Sequence, residues 1–190
     1  LGAMSVSSIN AAAELKNLSA LANATPEEFQ KLAYAAKSVG IEQDKLSDIL
    51  KDMNDRIGDF ISTGGGPMKD FFQTIAPRVG VTAEQFRNLS GPQALQLYVK
   101  SLEDANVNQQ DFAFFMEAIA SDSTALVPIL RNGGASAKAY ADRLEALGGV
   151  MSNDTVARLA GMKTKLSEVG VVISGMVTQL GAAAAPAVEI

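Results

Sequence analysis

The sequence predicts an all-α fold: short helices in hairpins joined by Gly/Pro turns, followed by one long C-terminal helix. Three observations predict it. Apolar residues recur at the 3–4 spacing of one helical face almost everywhere, while period-2 runs of strand type are hard to find. Ser, Thr or Asn repeatedly stands just before such a stripe, where a side-chain oxygen can accept from an unpaired helix N–H. Glycines stand where the stripes stop.

The elements follow in order. Helices are expected near 8–22, 26–39, 43–61, 67–77, 83–89, 92–105, 109–121, 124–131, 136–147 and 153–184. The second opens on Thr25-Pro26-Glu27-Glu28, an N-cap, a first-turn proline and a Glu placed to close a capping box. Its stripe is Phe29, Leu32, Ala33 and Ala36. The third carries Leu46, Ile49, Leu50, Met53, Ile57, Phe60 and Ile61. Thr82 with Gln85 repeats the box, and Ser90 with Pro92 and Asn108 with Asp111 mark further starts. The stripes behind the last two are Leu95, Tyr98, Val99 and Leu102, then Phe112, Phe115, Met116 and Ile119. Gly40, Gly80, Gly133 and Gly148 are the expected stops. Apolar residues before the cap and at the fourth helical position pair as staples at Ala24/Phe29, Ile41/Leu46, Val81/Phe86 and Val107/Phe112. The final stripe is Leu159, Met162, Leu166, Val169, Ile173, Val177 and Leu180.

This pattern divides the chain into an N-terminal helix over 1–24, a compact multi-helix module over 25–149, and a long apolar helix over 150–190. Gly2-Ala3-Met4 is compatible with a cloning scar, and the apolar end is expected to continue in a longer parent protein. Leu1 to Met4 shows no basic region followed by an apolar stretch, so no signal peptide is read there.

Composition narrows the function. Apolar residues make up 47% and charged residues 19%, which suits a folded domain. The net charge of -5 and the absence of a dense Lys/Arg run argue against a nucleic-acid site. With no Cys and no His, thiolate chemistry, disulfides, zinc–thiolate sites and the commonest general base are all missing. No cofactor and no metal are expected, and the chain reads as non-catalytic.

Four features of the sequence are candidate sites. Ser62-Thr63-Gly64-Gly65-Gly66-Pro67 precedes a helix and so resembles a phosphate cradle, but no Gly-Lys-Ser/Thr follows and no strand precedes it. Gly64, Gly65 and Gly66 are read instead as a hinge. Glu103, Asp104, Glu117 and Asp122 offer carboxylates for glycoside hydrolysis, but no motif fixes two of them across a cleft. Phe114 points away from the Phe112/Phe115/Ile119 stripe, on a second packing face or a partner contact. The stretch 169–188 carries no charge, and about 20 residues span a bilayer. Its Gly, Ser, Thr, Gln and Pro residues lower its hydropathy. A buried or self-associating helix therefore fits better than a membrane contact, with Val169, Ile173, Val177 and Leu180 as contact residues and a homo-oligomer through this helix as the corollary.

One resemblance spans about residues 25–187. It runs from Phe29-Gln30-Lys31-Leu32-Ala33-Tyr34-Ala35-Ala36 through Val39-Gly40-Ile41 and Lys45-Leu46-Ser47-Asp48-Ile49-Leu50-Lys51-Asp52-Met53. Thr63-Gly64-Gly65-Gly66-Pro67, Val79-Gly80-Val81-Thr82-Ala83-Glu84 and Leu89-Ser90-Gly91-Pro92-Gln93-Ala94-Leu95 follow. It continues with Ala125-Leu126-Val127-Pro128-Ile129-Leu130, Asn132-Gly133-Gly134 and Leu144-Glu145-Ala146-Leu147-Gly148. This ordered series resembles the helical region of bacteriophage and prophage tail tape measure proteins. In one place it departs: Ile119-Ala120-Ser121-Asp122-Ser123 stands where the family usually has aromatic-Gly-Arg-Ser-Gly, so a contact through that Arg is not implied here. The resemblance implies a structural protein of the virion tail lumen, present in the host cytoplasm during assembly. Such proteins set tail length, template the tail tube and leave ahead of the DNA on infection. Tail tube protein, tail assembly chaperones and tail tip proteins are the implied partners. Three rivals remain: a helical adaptor or scaffold domain that binds other proteins, a membrane-active ejection segment, and a cell-wall hydrolase.

Overall fold

A computed structural model describes the backbone of residues 6–184 and the side chains of residues 6–168. The fold is all-α, and no strand occurs among the described residues. In order come α1 (Val6–Leu21), α2 (Pro26–Lys37) and α3 (Gln43–Thr63), then a π-helical turn (Phe71–Ile75) and a 3-10 turn (Ala76–Val79). The one-turn α4 (Ala83–Phe86), α5 (Gly91–Asp104) and α6 (Gln109–Glu117) follow. A 3-10 turn (Ser123–Leu126), α7 (Val127–Ala146) and α8 (Asn153–Ala184) complete the chain.

The caps set these boundaries. Thr25 Oγ1 accepts from Glu28 N at 3.2 Å, and Glu28 returns a carboxylate oxygen to Thr25 N at 3.1 Å. Thr82 N donates to Gln85 Oε1 at 2.9 Å. Ser90 and Gln93 close a third box, with Gln93 N to Ser90 Oγ at 3.4 Å and Ser90 N to Gln93 Oε1 at 3.2 Å. Asn108 Oδ1 accepts from both Gln110 N and Asp111 N. At the expected stops Gly40, Gly80, Gly133 and Gly148, φ is positive, the left-handed backbone that only glycine adopts without a Cβ clash.

Two expected α-helices take other forms. The segment 67–77 winds as a π turn, with Ala76 N donating to Phe71 O, and then tightens to 3-10. Pro77 has no N–H to offer an α-helix at this point. The wider turn lets the consecutive Phe71 and Phe72 both point inward: Phe71 lies 4.1 Å from the Tyr98 ring and Phe72 stacks on Phe60 at 4.5 Å, centroid to centroid. The segment expected as helix from 124 begins as a 3-10 turn, where the buried Ser123 hydroxyl donates to Met116 O.

The described residues group into two compact units, one within Asn17–Asn153 and one formed by those before residue 17 and after residue 153. In the second, Ile9, Ala12 and Leu15 of α1 and Val156, Leu159 and Ala160 of α8 are buried, whereas Met162 and Leu166 are exposed. In the first, α5 packs against α2, α3, α7 and the Ala76–Val79 turn. Leu95, Tyr98, Val99 and Leu102 are buried on α5, as are Leu46, Ile49, Leu50 and Met53 on α3. Complete burial of a Leu-sized side chain contributes about 1.5–3 kcal/mol, so this seam dominates the unit's stability.

Tyr98 is the largest fully buried side chain, and its hydroxyl donates to Phe115 O at 2.7 Å. Tyr98→Phe leaves that carbonyl without this donor, and a loss of about 1–2 kcal/mol in urea unfolding is expected. Burial also pushes the phenol far above its ordinary value. Below about pH 10 the phenol is protonated in both the folded and unfolded states, and its contribution is complete. Above that, the unfolded chain ionises while the folded one keeps its proton, so stability falls with rising pH. Tyr98→Phe is expected to flatten that alkaline slope.

Candidate functional site

The most convergent polar arrangement lies where the α1–α2 turn meets the start of α5. Asn23 takes a left-handed φ of 50°, a conformation Asn tolerates better than most side chains do. Its Nδ2 donates to Leu89 O at 3.1 Å, and its carbonyl accepts from Gly91 N at 2.8 Å. Glu28 serves two helices at once. Its Oε2 accepts from Thr25 N and Thr25 Oγ1, and its Oε1 accepts from Ser90 Oγ at 3.2 Å and Gln93 Nε2 at 3.3 Å.

Two clefts flank this corner. One of about 400 Å³ is lined by Asn23, Thr25, Glu28, Arg87 and Ser90 among others. The other, about 250 Å³, is lined by Asn23, Asn54, Ile57, Ile61, Phe86 and Arg87 among others. Asn23, Thr25, Glu28, Asn54 and Ser90 are already engaged within the chain, and Arg87 Nε binds Glu84 Oε2 at 2.6 Å. A carboxylate holding four donors is fixed as an acceptor and is poorly placed to take a proton from a substrate. The arrangement is chemically a joint.

The sequence candidates are scattered. Glu103 accepts from Asn132 N at 2.9 Å, Asp104 pairs with Lys100 at 2.5 Å, Asp122 pairs with Lys45, and Glu117 is exposed. No two of these carboxylates face each other across either cleft. The lysines whose pKa is displaced, Lys31, Lys45 and Lys51, are raised by hydrogen bonds to Glu145, Asp122 and Asp55, away from neutrality. No group of three or more Asp or Glu able to hold a metal occurs among the described residues.

At the glycine run, Gly64 has φ 71° and donates to Phe60 O at 2.7 Å, while Gly65 N donates to Thr63 Oγ1 at 3.0 Å. Gly66 has φ 76°, and the Asp59 carboxylate occupies the place a Cβ would take. The N–H groups of Gly64 and Gly65 are thus engaged, and a carboxylate lies against Gly66, which disfavours a phosphate there. Phe114 is 54% exposed beside the buried Phe115, their rings edge to face at 5.3 Å. Val169, Ile173, Val177 and Leu180 lie outside the residues whose side chains are described. Among the described residues no helix is long and apolar enough to cross a membrane.

Sequence reasoning missed the double use of Glu28 and two arginine caps. Arg56 Nη1 donates to Ala118 O at 2.7 Å and Arg78 Nη2 to Ala105 O at 2.6 Å, each at the C-terminal cap of a helix. Only the Thr25–Glu28 spacing signalled any of this, and it signalled the local half. Comparisons with family models, curated proteins and solved structures gave no match.

With Glu28 as the joint's common acceptor, Glu28→Ala removes the returning half of the α2 capping box and loosens α5 together. A loss of about 1–2 kcal/mol in denaturant midpoint analysis is expected, and Ser90→Ala in that background is expected to cost less than it does alone.

Proposed function

We propose that this chain is a non-catalytic part of a phage or prophage tail tape measure protein, a structural component that sets tail length and templates the tail tube in the lumen. The observation that carries the reading is the ordered series of caps and turns from Thr25 to Gly148. Four helices of the compact unit start on caps of their own turn, at Thr25, Thr82, Ser90 and Asn108, and Gly40, Gly64, Gly80 and Gly148 stand at or just beyond helix or turn ends. A chain built this way offers a break at each turn, and with no Cys it holds no disulfide against extension. That suits a protein threaded along a tube and expelled from it ahead of the DNA. In this reading the partners are tube protein, tail assembly chaperones and tail tip proteins.

A second reading, a helical adaptor or scaffold that binds other proteins, is favoured by one observation. Asn17–Asn153 forms a compact unit with the exposed Phe114 on it. The two readings differ in the length of the segment at work.

In-frame deletion of 25–187 from the parent gene, with tails measured by electron microscopy, separates them. As continuous helix at about 1.5 Å per residue this stretch spans roughly 240 Å. Tails shortened by about that amount are expected if the segment is ruler. Viable tails of unchanged length would instead assign the segment to a compact, adaptor-type role.

A further inference from the structure

Helix α7 is helical in name across 127–146, but its backbone leaves the helix at 131–134. Arg131 is extended (φ −65°, ψ 165°), and Asn132, Gly133 and Gly134 take left-handed φ of 56°, 66° and 75°. Three consecutive left-handed residues make a sharp elbow. On its near side Ile129 and Leu130 are buried. Past Gly134, no residue of α7 is buried.

Side chains from α5 hold the elbow. Gln96 Nε2 donates to Leu130 O at 3.1 Å, and the Gln96 amide fills the place of a Cβ at Gly134. Glu103 Oε1 accepts from Asn132 N at 2.9 Å. Arg131 is the weak member: its guanidinium sits 4.4 Å above the Phe112 ring, and its buried Nε has no hydrogen-bond partner. A buried donor without an acceptor favours any arrangement that returns it to water.

The outer half of α7 lies on α2 through contacts that water can reach. Tyr140 meets Tyr34 edge on at 6.0 Å, and Glu145 pairs with Lys31 at the surface. Beyond it, Met151 exchanges two hydrogen bonds with the Gln30 amide, and Asn153 exchanges two with Glu27. This outer half is therefore a strap: an elbow at one end, a polar clamp at the other and no buried side chain between.

We infer that α7 is a two-position arm. In the closed position the elbow folds its outer half onto α2. In the open position 131–134 join the helix, the Met151 and Asn153 clamp releases, Arg131 reaches solvent, and the Lys31–Tyr34 face of α2 is uncovered. The three elbow residues set the balance, because Asn and Gly tolerate left-handed backbone and weaken a straight helix. Ala does the reverse at both points. The inference concerns the isolated chain and does not depend on the proposed tail role.

The absence of Cys makes the test direct. Spin labels at Lys37→Cys and Ala139→Cys, on exposed positions of α2 and α7, report the arm by pulsed electron resonance in the full chain. The unaltered elbow is expected to give mainly a short distance. Adding Gly133→Ala with Gly134→Ala is expected to shift the ratio toward a longer distance on the order of a hundredfold, with helical circular dichroism kept or raised. A folded variant with the same single short distance overturns the inference. Hydrogen exchange on the unlabelled native chain is the second arm, and it decides should the variant fail to fold. Amides of 136–146 are expected to exchange at least about tenfold faster than those of α3 and α5. Exchange of 136–146 only at the rate of that core overturns the inference as well.

Discussion

At the first residue of α5, Gly91 meets the carbonyl of Ala22 so closely that any Cβ would overlap it, and Leu50 Cβ stands 3.3 Å from the same point. Its N–H donates to Asn23 O at 2.8 Å. A helix start with no side chain can press against another turn's backbone, and that approach places α5 among α2, α3 and α7. From there the burial of Leu95, Tyr98 and Leu102 follows at helical spacing, and Tyr98 reaches through to the Phe115 carbonyl. Glu28 locks the same junction from the side by closing the cap of α2 and gripping that of α5. The geometry of one corner thus propagates along a whole helix.

Ends, more than faces, distinguish this core. Short helices multiply unpaired N–H and C=O groups, since each helix leaves about four of each. Side chains answer them: the capping boxes at the starts, and Arg56 and Arg78 at the carboxyl ends of α6 and α5. Surface ion pairs weigh less. Lys51–Asp55, Lys100–Asp104 and Lys138–Asp142 are all i,i+4 pairs with both partners largely in water, where screening leaves them little net effect. Apolar burial supplies the drive and the caps supply the register.

That division explains what was legible in the sequence. Caps, staples and glycine stops act within four residues, so the starts at Thr25, Thr82, Ser90 and Asn108 and the break of α7 near Gly133 could be read from spacing alone. The π turn at Phe71 could not, because it answers to rings on α3, α4 and α5 that meet Phe71 and Phe72 from far along the chain. Glu28 was legible as a cap and illegible as a joint, since Ser90 lies 62 residues away. The arginine caps and the Arg131–Phe112 stack are likewise long-range pairings of common residue types. At the larger cleft the Glu28 carboxylate and the Ser90 hydroxyl are bonded to each other and to helix caps, a pairing for which the sequence held no motif.

The balance between local and distant contacts bears on the proposed role. Most helix starts in the compact unit are satisfied by residues of the same turn, so separating neighbouring helices removes apolar contact but leaves those caps in place. The exceptions are few and polar: Glu28 to α5, the two arginines, and the Gln30 and Glu27 clamp. Extension therefore opposes mainly burial, which is shared between the 21-residue α3 and the shorter helices packed on it. For a chain proposed to be drawn into a tube and later expelled, the cost of exposing that apolar surface is the physically relevant quantity, and the local caps keep the helix starts satisfied while it is met.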